Sequence, residues 1–161
     1  MDKINCDTQS CSTTLVDTLE RIRHLFDVIL FDCPLQLDSD IVNSVLYHCD
    51  TIYCIWDESL SCIANMDRIK KNMRASGIEA DQKVRVIFNK RTNIHYTKYI
   101  FEQLGIELVG TLPFDVAIIE SGLQGEVFSD KGASLSKTAA AFSTEIEALT
   151  GRILEIGGYN E

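Results

Sequence analysis

The strongest constraint on the fold is the alternation of two hydrophobic periods along the chain. Short apolar runs, rich in β-branched and aromatic residues, occupy positions 28–31, 51–56, 84–88 and 107–112. Continuous runs of this length are typical of strands buried on both faces of a sheet. We therefore predict one strand from Phe26 or Asp27 to Asp32, and three others at Thr51–Trp56, Val84–Phe88 and Leu108–Thr111.

Helical spacing separates these runs. Gly77 and Gly105 follow two of the helical stretches and are expected to end them. Strands that alternate with helices predict βαβ crossovers, which are right-handed, and therefore an α/β fold with a mostly parallel sheet and helices on both faces. The apolar stripes are Leu15, Leu19, Ile22 and Phe26; Leu60, Ile63, Met66 and Met73; Tyr96, Ile100 and Leu104; and Leu135, Ala139, Phe142, Ile146, Leu149 and Ile153.

Length and charge limit the possible functions. A chain of 161 residues fits a single α/β domain over residues 1–161. The net charge of −9 argues against direct nucleic-acid binding and against a basic membrane-binding surface. No apolar run approaches the roughly 20 residues that a membrane-spanning helix needs.

Cysteine and histidine usage predicts neither a metal site nor a hydrolase triad. The six cysteines form no Cys-x-x-Cys and have no paired histidine spacing, which argues against zinc. The three histidines are spread out, without a nucleophile at a suggestive spacing. The opening residues also lack the apolar core of a signal peptide. We expect reduced thiols and a cytoplasmic location.

Polar residues follow each predicted strand at its carboxyl end. The four ends read "FDCP", "WDES", "FNKR" and "LPFD", and each contains Asp or Asn. Ligands of parallel sheets bind outside this edge, so the pattern favours a polar ligand rim. The alternative is that these are ordinary turn residues that end the strands. Asp32, at the tip of the first strand, could hold Mg²⁺ through water, although a phosphate-accepting receiver domain also has an aspartate at such a place.

The order of these segments resembles the second half of the MinD/ParA family of deviant P-loop ATPases. The similarity is carried by "FDVILFDCPLQLDSDIVNSVLYHCDTIYCIW", by "RVIFNK" and by "LGIELVGTLPFDVAIIESGLQGEVFSDKGASLSKTAAAFSTEIEAL". It covers about Leu15–Leu154 and looks most like the CpaE/TadZ branch, which acts in pilus assembly and polar localisation. The chain is thus expected to be the C-terminal portion of such an ATPase domain, either as part of a longer ATPase or as a natural chain that lost the nucleotide machinery.

The resemblance implies ATP and Mg²⁺ as ligands. By position, Asp32 would be the Walker B carboxylate, the catalytic residue that orders the metal. Asn89 would hydrogen-bond the adenine ring, and Pro113, Phe114 and Asp115 would form the loop beside the base. Each residue also has a structural interpretation, since Asp32 could form a strand-end turn and Asn89 could cap the turn that follows it.

The chain departs from the family pattern at the phosphate-binding loop. Its first glycine is Gly77, after the Asp32 strand, and no Gly-x-x-x-x-Gly-Lys occurs. Backbone N–H groups of that loop hold the phosphates, so this chain alone should not hydrolyse ATP, and whether it is an enzyme stays open. Two functions remain: a nucleotide-dependent switch, or a non-enzymatic scaffold or localisation module with the same fold.

Partner expectations follow from the same resemblance. A homodimer, or a protein partner from a secretion, pilus or partition system, is expected. The acidic ending "EIEALTGRILEIGGYNE" argues against the basic membrane anchor of MinD-type proteins. In the family sheet the phosphate-loop strand lies between the Asp32 strand and the 51–56 strand. Without it, these two strands should pair directly or accept a strand from another chain, which favours self-association.

Overall fold

The computed structural model has an α/β fold with a three-stranded parallel sheet, as the sequence predicts. It describes residues 8–34, 39–57, 59–92, 102, 105–125 and 137–159. The elements are α1 (Thr8–Ile22), a 3₁₀ turn (Arg23–Leu25), α2 (Asp40–His48), β1 (Ile52–Trp56), α3 (Leu60–Ala75), α4 (Ala80–Lys83), β2 (Val84–Arg91), β3 (Glu107–Pro113), α5 (Val116–Leu123) and α6 (Lys137–Ile156). No helix among the described residues is long and apolar enough to cross a membrane.

The chain divides into two compact units, and the prediction of one domain over 1–161 stays a prediction. The first unit comprises residues 1–50 and 66–82, and the second comprises residues 51–65 and 83–161. In the first unit α1 packs against α2, and Val42, Val45 and Leu46 of α2 are buried. The apolar spacing of α2 places these three side chains on one face of the helix.

The sheet belongs to the second unit and has the order β1–β2–β3. Its register places Tyr53, Arg85 and Glu107 side by side on successive strands. The Arg85 guanidinium pairs with the Glu107 carboxylate, and burial raises the pKa of the Tyr53 hydroxyl although the positive charge of Arg85 opposes that shift. This row of cross-strand pairs fixes the register, because a slip by one residue would separate all three side chains.

The core of the second unit lies between the sheet and α6. Leu149 of α6 packs against Ile87 of β2 and against Val109 and Leu112 of β3. Gly110 of β3 lies under Leu149, and a Cβ at this glycine would be 2.8 Å from the leucine Cδ1. Close approach of α6 to β3 therefore depends on the missing side chain.

Two predictions from the sequence concern helices: the helix end at Gly77 and the helix predicted from Tyr96, Ile100 and Leu104. Gly77, at φ +76°, ends α3, with Ile78 N donating to Met73 O at 2.9 Å and Gly77 N donating to Arg74 O at 3.0 Å. These two bonds satisfy carbonyls that the last turn leaves without helical partners, so the predicted helix stop is confirmed. The helix predicted from Tyr96, Ile100 and Leu104 lies outside the described residues.

The prediction of a strand at Asp27–Asp32 is wrong. The backbone of residues 26–34 is irregular, and β1 pairs with β2 rather than with this segment. Leu30 is 81% exposed and Phe26 is 58% exposed. A strand needs a neighbour that accepts its backbone hydrogen bonds, and none of the described residues supplies one here. Hydrophobicity alone does not make an apolar run into a strand.

Candidate functional site

The candidate site is the carboxyl edge of the sheet, where β1, β2 and β3 end. Because the three strands are parallel, the segments that follow them meet at one edge. Asp57 follows β1, the residues Asn89–Arg91 form the end of β2, and the turn Pro113–Asp115 starts at the last residue of β3. The structure thus brings together four of the five predicted site residues, namely Asn89, Pro113, Phe114 and Asp115.

The end of β2 is a bulge centred on Asn89 and Lys90. Phe88 pairs with Thr111, but the next pair is Arg91 with Pro113, so β2 has one residue more than β3 in this interval. Lys90 accommodates it at φ 56°, a left-handed conformation that L-residues with side chains rarely adopt. The Asn89 Oδ1 accepts a hydrogen bond from Lys90 N at 2.9 Å. The bulge therefore holds the Asn89 amide in a fixed orientation at the edge of the sheet.

The turn after β3 is bonded to this bulge. Phe114 N donates to Arg91 O at 3.1 Å, and Arg91 Nη1 donates to Thr111 Oγ1 at 2.8 Å. Asp115 is the N-cap of α5, because its Oδ1 accepts from Ala117 N at 2.8 Å. The Phe114 ring, 41% exposed, lies on the solvent side of the turn. Asp115 thus anchors the loop and leaves Phe114 as its exposed apolar side chain.

Asp57, at the end of β1, was not predicted as a site residue. Its Oδ1 accepts from Ser59 N at 2.9 Å, which orders the turn into α3. Hydrogen bonds from Ser59 lower the pKa of the Asp57 carboxyl, and the positive charge of Lys90 lowers it further. The negative charge of Asp57 is therefore attracted to the positive charge of Lys90 in the bulge.

Lys90 and Arg91 also lie at this edge and were not predicted as site residues. The letters "FNKR" do show two cations after Asn89, but they do not reveal the left-handed bulge that positions them. A non-glycine residue at positive φ cannot be read from composition or periodicity, since it depends on how β2 pairs with β3.

The assignment of Asp32 as a magnesium-binding residue stays a prediction. Asp32 lies on the irregular segment 26–34, and its side chain is exposed. No group of three or more His, Cys, Asp or Glu side chains in the described part of the chain could hold a metal. At the N-terminus of α5, the Asp115 carboxylate already accepts a backbone N–H, and its negative charge disfavours an anion there. The edge offers instead an amide, an aromatic ring and a rigid loop.

Comparisons with known proteins show that the chain is similar to MinD sequences. No family model matches the chain. The chain is 25% identical over 154 residues to a Chlorella vulgaris protein described as septum site-determining protein MinD, and 29% identical over 147 residues to its Mesostigma viride counterpart. These alignments cover 90% and 86% of this chain but 51% and 48% of the relatives. The chain thus spans about half the length of the curated relatives it matches.

Solved structures show the same fold. A chain of the MinC:MinD cell division protein complex from Aquifex aeolicus superposes with a TM-score of 0.68 at 17% identity, covering 92% of this chain and 60% of that one. The Pyrococcus furiosus cell division ATPase MinD gives a TM-score of 0.63 at 22% identity, covering 90% of this chain and 59% of that one. The α/β architecture is therefore that of MinD, a P-loop NTPase fold.

Proposed function

We propose that this chain is part of a nucleotide-dependent switch of the MinD/ParA type, and that its carboxyl edge holds the base of an adenine nucleotide. The similarity to MinD sequences supports the general class of function. The observation that carries the assignment of the site is the bulge of β2, which fixes Asn89 beside the loop Pro113–Asp115 through the Phe114–Arg91 hydrogen bond.

This edge suits a base better than a phosphate. An amide both donates and accepts, and adenine offers both partners on one edge through its amino group and ring nitrogens. The Asn89 Nδ2 bonds to none of the described residues, so it is available to donate to a ring nitrogen. The exposed Phe114 ring gives a purine an apolar surface on which to stack. Pro113 and the capped Asp115 restrict the movement of that ring.

Within this proposal, the chain alone binds nucleotide weakly and does not hydrolyse ATP. Asp32 would act on Mg²⁺ only together with a phosphate-binding loop, and no such loop motif occurs in the sequence. We extend the proposal to a CpaE/TadZ-type role, in which a homodimer or a protein partner of a pilus, secretion or partition system reads the nucleotide state.

Titration of the chain with ATP, ADP and GTP, with and without Mg²⁺, tests the site. Weak adenine-nucleotide binding that Mg²⁺ hardly changes is expected, because the proposed contacts are to the base. Asn89→Ala should weaken adenine-nucleotide binding at least tenfold, whereas Asn72→Ala, at an exposed position of α3, should leave it unchanged. Equal binding by both variants, or tighter binding of GTP than of ATP, would contradict the assignment of Asn89.

A scaffold or localisation module that works without nucleotide is the second candidate. It is favoured by an apolar stripe on α5, where Val116, Ile119 and Leu123 are 55%, 44% and 84% exposed. Residues spaced by three and four lie on one face of a helix, so this stripe is an exposed surface of the kind that contacts proteins. Absence of any adenine-nucleotide binding would favour this second function over the first.

A further inference from the structure

Arg91 lies where the bulge of β2, the strand β3 and the loop after β3 come together. Its backbone pairs with Pro113, its carbonyl accepts from Phe114 N at 3.1 Å, and its Nη1 donates to Thr111 Oγ1 at 2.8 Å. The side chain is half-buried. One residue therefore joins the segment that contains Asn89 to the segment that contains Phe114.

The bulge determines which face of the sheet the Arg91 side chain occupies. Phe88 pairs with Thr111, so these two side chains share one face. Side chains of a regular strand alternate between the faces, and Arg91, three positions beyond Phe88, would then occupy the opposite face. Because of the extra residue in the bulge, Arg91 pairs with Pro113, two positions after Thr111, and shares its face. The bond between the guanidinium and the hydroxyl thus depends on the left-handed bulge at Lys90.

The two contacts proposed for the base come from different segments of the chain. Asn89 would hydrogen-bond the edge of the base and Phe114 would stack on its face, so one base makes both contacts only if the two side chains keep a suitable spacing. The Asn89 amide is oriented by its bond from Lys90 N. Phe114 N bonds to the Arg91 carbonyl, and the Arg91 guanidinium bonds to β3 itself. Arg91 is therefore the link that relates the ring to the amide.

We propose that Arg91 is a positioning residue of the nucleotide site, which sets the placement of Phe114 relative to Asn89 and thereby the preference for adenine over guanine. This inference rests on the proposed function and adds a residue that determines its specificity. Without the guanidinium bond, the loop must be ordered when a nucleotide binds, which lowers affinity. A loop that can shift also accepts a base with a different hydrogen-bonding edge, so ATP and GTP should bind with more nearly equal affinity.

Binding of ATP and of GTP to the full chain, compared among matched variants, tests the role of Arg91. Arg91→Met keeps a long side chain but removes the donor, and Thr111→Val keeps a branched side chain but removes the acceptor. Each should weaken ATP binding about threefold to tenfold, the range that ordering one side chain on binding costs, and should lower the preference for ATP over GTP. Thr111→Ser, which retains the hydroxyl, should bind both nucleotides like the wild type. Arg68→Met, the same substitution at an exposed position of α3, should change neither affinity.

Combining Arg91→Met with Thr111→Val separates the loss of this bond from general damage to the sheet. The double variant should bind ATP no more weakly than either single variant, because both changes remove the same interaction. Urea unfolding followed by Trp56 fluorescence shows whether each variant folds. If Arg91→Met does not fold, the comparison of Thr111→Val with Thr111→Ser decides the test.

The outcomes distinguish the inference from the function on which it rests. If Asn89→Ala weakens ATP binding but Arg91→Met and Thr111→Val leave the preference for ATP over GTP unchanged, the positioning role is overturned and the proposed function stands. Equal weakening of ATP and GTP binding in these two variants would likewise reduce Arg91 to a structural residue. Failure of the wild type to bind any adenine nucleotide would overturn the proposed function and this inference together.

Discussion

Replacing Gly110 by alanine tests the packing of α6 on β3 directly. The new Cβ would lie 2.8 Å from Leu149 Cδ1, whereas carbon atoms prefer about 3.5–4.0 Å. Leu149 must then withdraw by roughly an ångström, and its neighbours Ile87, Val109 and Leu112 are all buried. Extra methyl groups in well-packed cores cost about 1–3 kcal/mol. Alanine recovers about 0.4–1 kcal/mol by restricting the unfolded chain, so we expect a net loss of about 1–2 kcal/mol.

The assay is urea unfolding followed by the fluorescence of Trp56, the only tryptophan, which is 4% exposed in the same unit. A double-mutant cycle isolates the contact. Leu149→Ala alone should cost about 2–5 kcal/mol, but in that background Gly110→Ala should be neutral or stabilising, since the atom at 2.8 Å is gone. The coupling free energy between the two sites should therefore be about 1–3 kcal/mol in favour of the double variant.

Gly151→Ala is the matched control, because it makes the same change on α6 at a position with no atom within 4 Å. It should stabilise the protein by about 0.5–1 kcal/mol through helix propensity. If Gly110→Ala proves as stable as the wild type, or if the coupling free energy is zero, then the close approach of α6 to β3 does not depend on the missing side chain of Gly110.

Three further changes probe the edge and the surface. Lys90→Gly should be about 1 kcal/mol more stable than Lys90→Ala by urea unfolding, because both remove the charged side chain but only glycine tolerates φ 56°. Equal stabilities of the two variants would show that the backbone at position 90 is not strained. Hydrogen bonds from Lys70 and Arg74 lower the pKa of Asp81, so its contribution to stability is present above the unfolded pKa of about 3.9 and is lost as pH falls through the folded value. The urea midpoint of Asp81→Asn should therefore fall less between neutral pH and about pH 3 than that of the wild type; parallel pH profiles would show that the ion pairs contribute nothing. Asp32→Asn should change stability by less than about 0.5 kcal/mol, because the side chain is exposed; a larger loss would mean that the carboxylate has a structural contact.

Much of the sheet was predictable from the sequence because its strands have partners. β1 and β3 occur at the apolar runs, and β2 extends three residues beyond its run, to Arg91, because pairing with β3 resumes after the bulge. The run at 28–31 has the same composition, yet its backbone is irregular, since strand formation depends on a neighbour that local sequence does not encode. Asn89 and the Pro113–Asp115 loop could be placed at one edge by topology alone. The left-handed Lys90 and the cap at Asp115 required the pairing geometry.

The packing of α6 on the sheet also determines when the second unit can fold during synthesis. Leu149 follows Pro113 by roughly 36 residues, and a ribosome adds about 5–20 residues per second. The apolar surface formed by Ile87, Val109 and Leu112 therefore emerges about two to seven seconds before the residue that covers it. During that interval the nascent strands expose an apolar surface, and such a surface is prone to aggregation until α6 covers it.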